Sequence, residues 1–236
     1  YKTAQHLHSI CSKNLISTTF ELGGKSPLII DKDSNLKIAA KRVCLGKFIN
    51  CGQTCIAPDY LFVHKEVKEE FINLLKENII SFFGTEAYKS ENYGRIINQR
   101  QFLRIKSLLS QGEIIFGGKH DERNNYISPT LIKPYELNNS LMQDEIFGPI
   151  LPILEFENIE SVIEYINKRP RPLALYYFGN KNINIIKRTT SGGACINDAI
   201  MHIIPHNLPF GGIGQSGMGA YHGKKSFDTF SHYKSV

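Results

Sequence analysis

The 236 residues contain no apolar run of about 18 residues, the length a helix needs to cross a bilayer, so no membrane-spanning helix is expected. Nothing resembling a signal peptide opens the chain either, because Tyr1 to Ile10 mixes polar and basic residues with His6-Leu7-His8 and has no apolar core. The chain does not open on Met, which gives the expectation of a fragment or a processed product. Cysteine is scarce and odd in number: Cys11, Cys44, Cys51, Cys55 and Cys195. That excludes a disulfide framework and favours a reducing compartment, the cytoplasm. Cys51 and Cys55 are four apart, but no Cys or His pair elsewhere completes a zinc-type ligand set, so no metal is expected. Repeats, low-complexity linkers and long blocks of one charge are also missing. The net charge of +6, from 28 basic and 22 acidic residues, is scattered and reads as a solvated surface, not as a nucleic-acid face.

What the chain does have is enough apolar residue, 42%, to bury a sizeable core as one large or two small domains. Short runs rich in Ile, Leu, Tyr and Phe alternate with segments of helical period. Strands are predicted at Pro27–Ile30, Tyr60–Val63, Glu113–Phe116, Tyr126–Ile132, Ile150–Phe156, Leu173–Phe178 and Gly193–Asn197. Helices are predicted at Asn35–Phe48, capped by Ser34 or Asn35, and at Glu66–Phe82, Gln101–Leu109, Ile159–Asn167 and Ile183–Thr190. Such alternation implies an α/β fold with a largely parallel sheet covered by helices.

Three segments carry candidate chemistry. Cys51-Gly52-Gln53-Thr54-Cys55-Ile56-Ala57-Pro58 joins a helix to a strand, and its Gly and Pro favour an irregular loop of the kind that presents reactive groups. A free cysteine is as readily a small buried filler. In Glu21-Leu22-Gly23-Gly24-Lys25-Ser26-Pro27, a carboxylate stands before paired glycines, where Gly23 lets the backbone approach a ligand closely. The plainer reading is an acid at a strand end. In Glu145-Ile146-Phe147-Gly148-Pro149-Ile150, residues 145 and 147 would share a face if the backbone were extended. The alternative is a surface acid beside a packed aromatic.

Taken together, in this order and with Cys55 standing 34 positions after Glu21, these segments resemble those of the aldehyde dehydrogenase superfamily. Ser191-Gly192-Gly193, Asn197-Asp198, Pro209-Phe210-Gly211-Gly212-Ile213-Gly214 and Ser216-Gly217-Met218-Gly219 extend the resemblance over essentially the whole chain. Ala57-Pro58-Asp59-Tyr60 and Gly219-Ala220-Tyr221-His222-Gly223-Lys224-Lys225-Ser226-Phe227 look most like the class 3 branch, which includes fatty-aldehyde dehydrogenases.

The resemblance implies an aldehyde substrate, aliphatic or aromatic, and NAD or NADP as cofactor. Cys55 is then the nucleophile, because hydride can leave only from a tetrahedral adduct and a thiolate forms one readily. The Cys55 N–H is one donor to the oxyanion, with an Asn upstream of Tyr1 as the second. Glu21 is the base that activates water against the thioester. Glu145 resembles the carboxylate that accepts hydrogen bonds from the nicotinamide-side ribose, Phe147 braces that ribose, and Gly23 belongs to the same cofactor side. His202, His206 and His222 are read as surface or packing groups, and Cys51 is the nearest rival to Cys55.

Relatives carry about half their length before this region, including most of the dinucleotide-binding domain, whose phosphate loop would end at Ala4. The expected division is residues 1–22 as a remnant of that domain, 23–222 as the catalytic domain, and 223–236 as the start of a bridging and oligomerisation segment. A homodimer is expected of the full-length form, and some relatives continue into a membrane-anchoring tail. Two alternatives stay open: a truncated homologue that binds or regulates a full-length enzyme, and a CoA-acylating relative, against which the presence of Glu21 speaks.

Overall fold

The computed structural model describes residues 1–236. Its centre is a seven-stranded sheet whose strands, in chain order, are β1 (Pro27–Ile30), β2 (Tyr60–His64), β3 (Gly112–Phe116), β4 (Thr130–Pro134), β5 (Ile150–Phe156), β6 (Ala174–Phe178) and β7 (Gly193–Ile196). The spatial order is β7-β6-β1-β2-β5-β4-β3, parallel throughout except for β3, which runs antiparallel at one edge. Every residue of β1, β2 and β6 is buried, as expected of strands covered on both faces and written as continuous apolar runs.

Helices α1 (Lys2–Ser12), α2 (Leu36–Phe48), α3 (Lys68–Phe83), α4 (Gln99–Leu108), α5 (Ile159–Asn167) and α6 (Gly223–Thr229) accompany the sheet. Asn35 is the cap of α2, its side chain accepting from the Ile38 N–H at 3.2 Å. In α3, Phe71, Leu75, Ile79 and Phe83 recur every fourth residue and form the buried stripe, and α3 packs against α2. One cluster of 51 buried residues runs from Leu28 to Phe210, so the apolar content builds a single core and not two.

Three predicted elements differ in extent. The strand over Tyr126–Ile132 is broken into Tyr126–Ile127 and β4, because Pro129 has no N–H to donate to a ladder. The helix at Ile183–Thr190 shrinks to one turn, Ile185–Arg188. Ahead of α3, Lys65–Val67 forms a 3-10 turn in which His64 Nδ1 accepts from the Glu66 N–H at 3.3 Å. A small ribbon, Phe20–Glu21 paired with Gly217–Met218, lies outside the main sheet.

The topology decides where chemistry can gather. Glu21 precedes β1, Cys55 precedes β2, and Glu145 precedes β5, and β1, β2 and β5 are adjacent parallel neighbours. The three segments therefore enter the sheet at the same rim.

Candidate active site

Cys55 occupies a turn closed by the Ala57 N–H donating to Thr54 O at 2.9 Å. The residues before it take an uncommon path: Asn50, Cys51 and Gly52 have φ of 51°, 57° and 73°. Two consecutive non-glycine residues in the left-handed region cost about 1–3 kcal/mol each, so the surroundings must hold them there. Gln53 does much of this. Its amide donates to Asn50 O (3.1 Å) and Arg95 O (2.9 Å) and accepts from the Ile97 N–H (2.9 Å), tying the loop to the segment before α4. Gly52 lies against the Gly148–Pro149 backbone so closely that a Cβ would overlap the Gly148 carbonyl. On the other side the buried Tyr176 hydroxyl donates to Ile56 O at 2.6 Å.

Burial decides between the two neighbouring thiols. Cys51 is fully buried and its thiol is pushed up to about 11, chiefly by desolvation, whereas Cys55 is only partly covered. The Cys55 thiol is also raised. Desolvation is the largest cause, followed by the negative charges of Glu145 and then Glu21, while the N–H groups of Cys55 and Ile56 favour the thiolate. Glu21, Glu145 and Cys55 thus lie within electrostatic reach of one another. Tyr221, whose hydroxyl is raised by burial and then by Glu21 and Cys55, faces the same space.

Glu21 is held by the Phe20–Glu21 ribbon and by the Leu22 N–H donating to Ser216 O at 3.2 Å. Both of its carboxylate oxygens are buried without a completed hydrogen bond. Its pKa is raised, mainly by desolvation; the Gly212 N–H is directed toward it and offsets part of that shift. A carboxylate with spare acceptor capacity and raised proton affinity, beside a thiol, is suited to exchange protons with that thiol or with a small molecule between them.

Glu145 is set by a scaffold of charges. Lys25 forms a buried ion pair with Asp59 and donates to Asp144 O at 3.0 Å. The other Asp59 oxygen accepts from the Ile146 N–H at 2.9 Å. From the opposite side Arg104 donates to Glu145 O (3.3 Å) and Ile146 O (2.6 Å). The Glu145 carboxyl is pushed up to about 7 by desolvation and by Asp59, against the pull of the Gly24 N–H, Lys25 and Arg104. Its carboxylate occupies the space that a side chain at Gly23 would need, which gives Gly23 a steric reason. A cleft of about 370 Å³ opens here, lined by Gly23, Gly24, Lys25, Glu145, Arg169 and Ser216 among others; Cys55 and Glu21 are not part of its lining.

Phe147 corrects one expectation. Its φ is 46°, so the segment is not extended and the alternation argument placing it on one face with Glu145 does not hold. Ile146 is buried between them, while Phe147 is 39% exposed. The histidines pack: Phe210 lies between the stacked rings of His202 and His222, and His202 Nδ1 is 3.3 Å from Cys195 Sγ.

Lys25, Asp59, Arg104, Tyr176 and Tyr221 were not singled out as site residues from sequence. Lys25, Asp59 and Tyr221 lie inside the quoted motifs, and a charged residue beside each candidate was the available signal. The electrostatics can be checked on the chain itself. Glu145→Gln is expected to lower the Cys55 pKa and speed its alkylation by iodoacetamide at pH 8 by about three- to ten-fold, since below its pKa the thiolate fraction changes tenfold per pH unit. Glu21→Gln should have the smaller effect of the two. Peptide mapping at timed intervals reads both, and unchanged Cys55 rates in both variants would contradict the geometry.

Comparison with known proteins supports the same conclusion. The family model described as the aldehyde dehydrogenase family matches residues 1–236. The chain is 47% identical over 234 residues to the 4,4'-diaponeurosporen-aldehyde dehydrogenase of Staphylococcus aureus, covering 97% of this chain and 51% of that protein. It is 51% identical over 227 residues to aldehyde dehydrogenase family 3 member A2 of Rattus norvegicus, covering 94% and 47%. To the dimeric NADP-preferring aldehyde dehydrogenase of the same species it is 47% identical over 228 residues, covering 95% and 50%. The chain therefore spans about half the length of these relatives. Among solved structures, Staphylococcus aureus AldH in its substrate-bound state superposes with a TM-score of 0.95 at 44% identity, over 100% of this chain and 54% of that one. An indole-3-acetaldehyde dehydrogenase complexed with NAD+ gives 0.89 at 26% identity, over 100% and 50%. Sequence, fold and site geometry agree, and the chain belongs to the aldehyde dehydrogenase family.

Proposed function

We propose that this chain supplies the catalytic part of an enzyme that oxidises aldehydes to carboxylic acids with NAD or NADP, using Cys55 as nucleophile and Glu21 as the base for thioester hydrolysis. The observation that carries this reading is the meeting of Cys55 and Glu21 at one rim of the sheet, with the N–H groups of Cys55 and Ile56 turned toward the sulfur. Cys55 Sγ adds to the aldehyde carbon, and the thiol proton leaves to a neighbouring base. Glu21, with its raised proton affinity, is reserved in this reading for the later hydrolytic step. In this reading the Cys55 N–H stabilises the oxyanion of the adduct. A bound dinucleotide would supply the hydride acceptor for that adduct, and Glu145 and Gly23 would line the side that holds it. Glu21 then takes a proton from water as the water attacks the Cys55 thioester, and the acid leaves.

Glu145 and Gly23 form the cofactor side, because Glu145 presents a carboxylate at the mouth of the cleft where ribose hydroxyls could donate to it. Phe147 packs on the same ribose in this reading, which rests on the family resemblance alone. NAD or NADP is supported by the NADP preference named for one relative and the NAD+ complex named for another. Residues 1–22 are read as dinucleotide-domain remnant, 23–222 as the catalytic domain and 223–236 as the start of a bridging segment. The full-length protein is read as a homodimer, as one relative's name suggests, working in the cytoplasm. Aliphatic aldehydes of medium or long chain, and aromatic ones, are the proposed substrates.

The test is direct. Full-length gene product mixed with NAD or NADP and a long-chain aldehyde, then quenched in acid, is expected to carry an acyl mass on the Cys55 peptide while reduced cofactor forms. An acyl mass on Cys51, or reduced cofactor from a Cys55→Ala variant, would overturn the assignment.

A further inference from the structure

Gln53 stands two positions before Cys55 and spends its whole amide inside the protein. Nε2 donates to Asn50 O at 3.1 Å and to Arg95 O at 2.9 Å, and Oε1 accepts from the Ile97 N–H at 2.9 Å. Within the loop the grip is closed from both sides: the Gln53 N–H donates to Asn50 O at 3.1 Å, and Asn50 Nδ2 donates to Gln53 O at 2.9 Å. Ordering a long, flexible side chain costs entropy, so a loop glutamine has little reason to be held this way unless the loop needs it. The need is visible in Asn50 and Cys51, both in the left-handed region, a conformation that persists only when the surroundings over-determine it.

The far end of the bridge is itself immobilised. The Arg95 guanidinium turns back on its own segment, donating to Tyr93 O (3.0 Å), Gly94 O (3.1 Å) and Tyr88 O (2.7 Å). It also lies 5.1 Å from the ring centres of both Tyr88 and Tyr126. The Ile96 N–H donates to Asn125 O at 3.0 Å, and Gly94 abuts the strained Asn50–Cys51 backbone. The segment then runs into α4, capped by Asn98, and from α4 Arg104 holds the carbonyls of Glu145 and Ile146. One stretch of chain therefore braces both the loop of the thiol and the loop of the cofactor-side carboxylate.

We propose that the Gln53 side chain is a positioning residue for Cys55, a bridge that holds the nucleophile's turn against the Arg95–Ile97 segment, with the Arg95 guanidinium fixing its far end. The inference rests on the reading of Cys55 as nucleophile given above. Its physical content is a distinction between two kinds of reaction. Attack on a bound aldehyde needs the sulfur at one place, and a displacement on the order of 1 Å costs about 10²-fold in rate. A small reagent diffusing freely to the same sulfur has no such requirement. Cutting the bridge should therefore slow the first reaction and leave the second nearly alone.

The experiment is rapid mixing of full-length gene product with NAD(P) and excess aldehyde, in a Glu21→Gln background to hold the thioester, with acid quenching and a count of the acyl-Cys55 peptide over time. Adding Gln53→Met is expected to slow acylation by about 10- to 100-fold, with its amplitude still near one per Cys55. The aldehyde concentration giving half-maximal rate should move less than about two-fold, and iodoacetamide labelling of Cys55 should stay within about three-fold. A glutamine that only stabilised the fold would instead lower the amplitude and the melting temperature while the competent molecules reacted at the original rate. That result overturns the proposal, and so does an unchanged rate at full amplitude. Arg95→Lys keeps the charge beside the two rings but releases the three carbonyls, and should slow acylation about three- to ten-fold. Combined with Gln53→Met it should add less than about two-fold, because both cut one bridge; effects that multiply overturn the part given to Arg95. Should Gln53→Met not fold, an unchanged acylation rate in Arg95→Lys overturns the bridge. Reduced cofactor from Cys55→Ala sinks the nucleophile reading itself, a result distinct from an acyl-Cys55 adduct that forms at a rate indifferent to Gln53.

Discussion

Glu21→Gln is expected to convert steady turnover into a single burst. Acylation of Cys55 and reduction of one cofactor equivalent proceed, and hydrolysis of the thioester then slows by about 10²–10⁴-fold, the usual contribution of a positioned base. The glutamine is nearly isosteric and keeps an acceptor oxygen, so the Phe20–Glu21 pairing with Gly217–Met218 should persist. Rapid mixing that follows reduced-cofactor absorbance would show a burst close to one per Cys55 and an acyl adduct persisting for minutes. The unmodified protein should lose hydrolysis on acidification earlier than an ordinary carboxylate would predict, because burial raises the Glu21 pKa and the base form is present only above it. Unchanged steady turnover in Glu21→Gln would remove the residue from the hydrolytic step, and a lost burst with intact fold would assign it to acylation.

Lys25→Met should be the most destabilising of the substitutions discussed. The Lys25 and Asp59 side chains are 9% and 4% exposed, and removing the ammonium strands a buried carboxylate, for which about 3–5 kcal/mol is the ordinary cost. Asp59 would retain only the Ile146 N–H. The contrasting control is Lys68→Met. That pair with Glu155 is 2.9 Å long but its partners are 28% and 51% exposed, so the loss should stay within about 1 kcal/mol. Urea unfolding of both variants reads the difference, and comparable losses would show that the Lys25–Asp59 pair is not insulated from solvent. In full-length protein, Lys25→Met should also weaken cofactor binding, since Asp144 O loses its donor and Asp59, which holds the Ile146 N–H, loses its counter-charge.

The main sheet could be read from sequence where burial on both faces writes unbroken apolar runs, as in Pro27–Ile30 and Tyr60–Val63, and α2 could be read because Asn35 both caps it and precedes its stripe. The positions of Cys55, Glu21 and Glu145 followed from motifs, since each stands just before a strand. What pattern could not supply was three-dimensional pairing. Lys25 and Asp59 are 34 residues apart, and nothing local in either says that they meet. Lys47 looks like an ordinary basic residue in the last turn of a helix, yet in the fold it is fully buried. Phe147 misled for a different reason. Alternation is a rule for extended backbone, and a residue with positive φ does not obey it. Helix α1 was not anticipated, and in the structure only its Ala4 is buried while Leu7 and Ile10 are exposed.

Placing the reacting groups before the strands, and not after them, has an electrostatic consequence. A helix that feeds a parallel strand ends at that strand's entrance, so α2 turns its carbonyl terminus, the negative pole of its macrodipole, toward the side on which Cys55 stands. Phosphates are usually captured at the opposite pole, where free N–H groups point outward. The carbonyl pole of α2 thus works against negative charge at this rim, and the N–H groups of Cys55 and Ile56 are what favours a thiolate there.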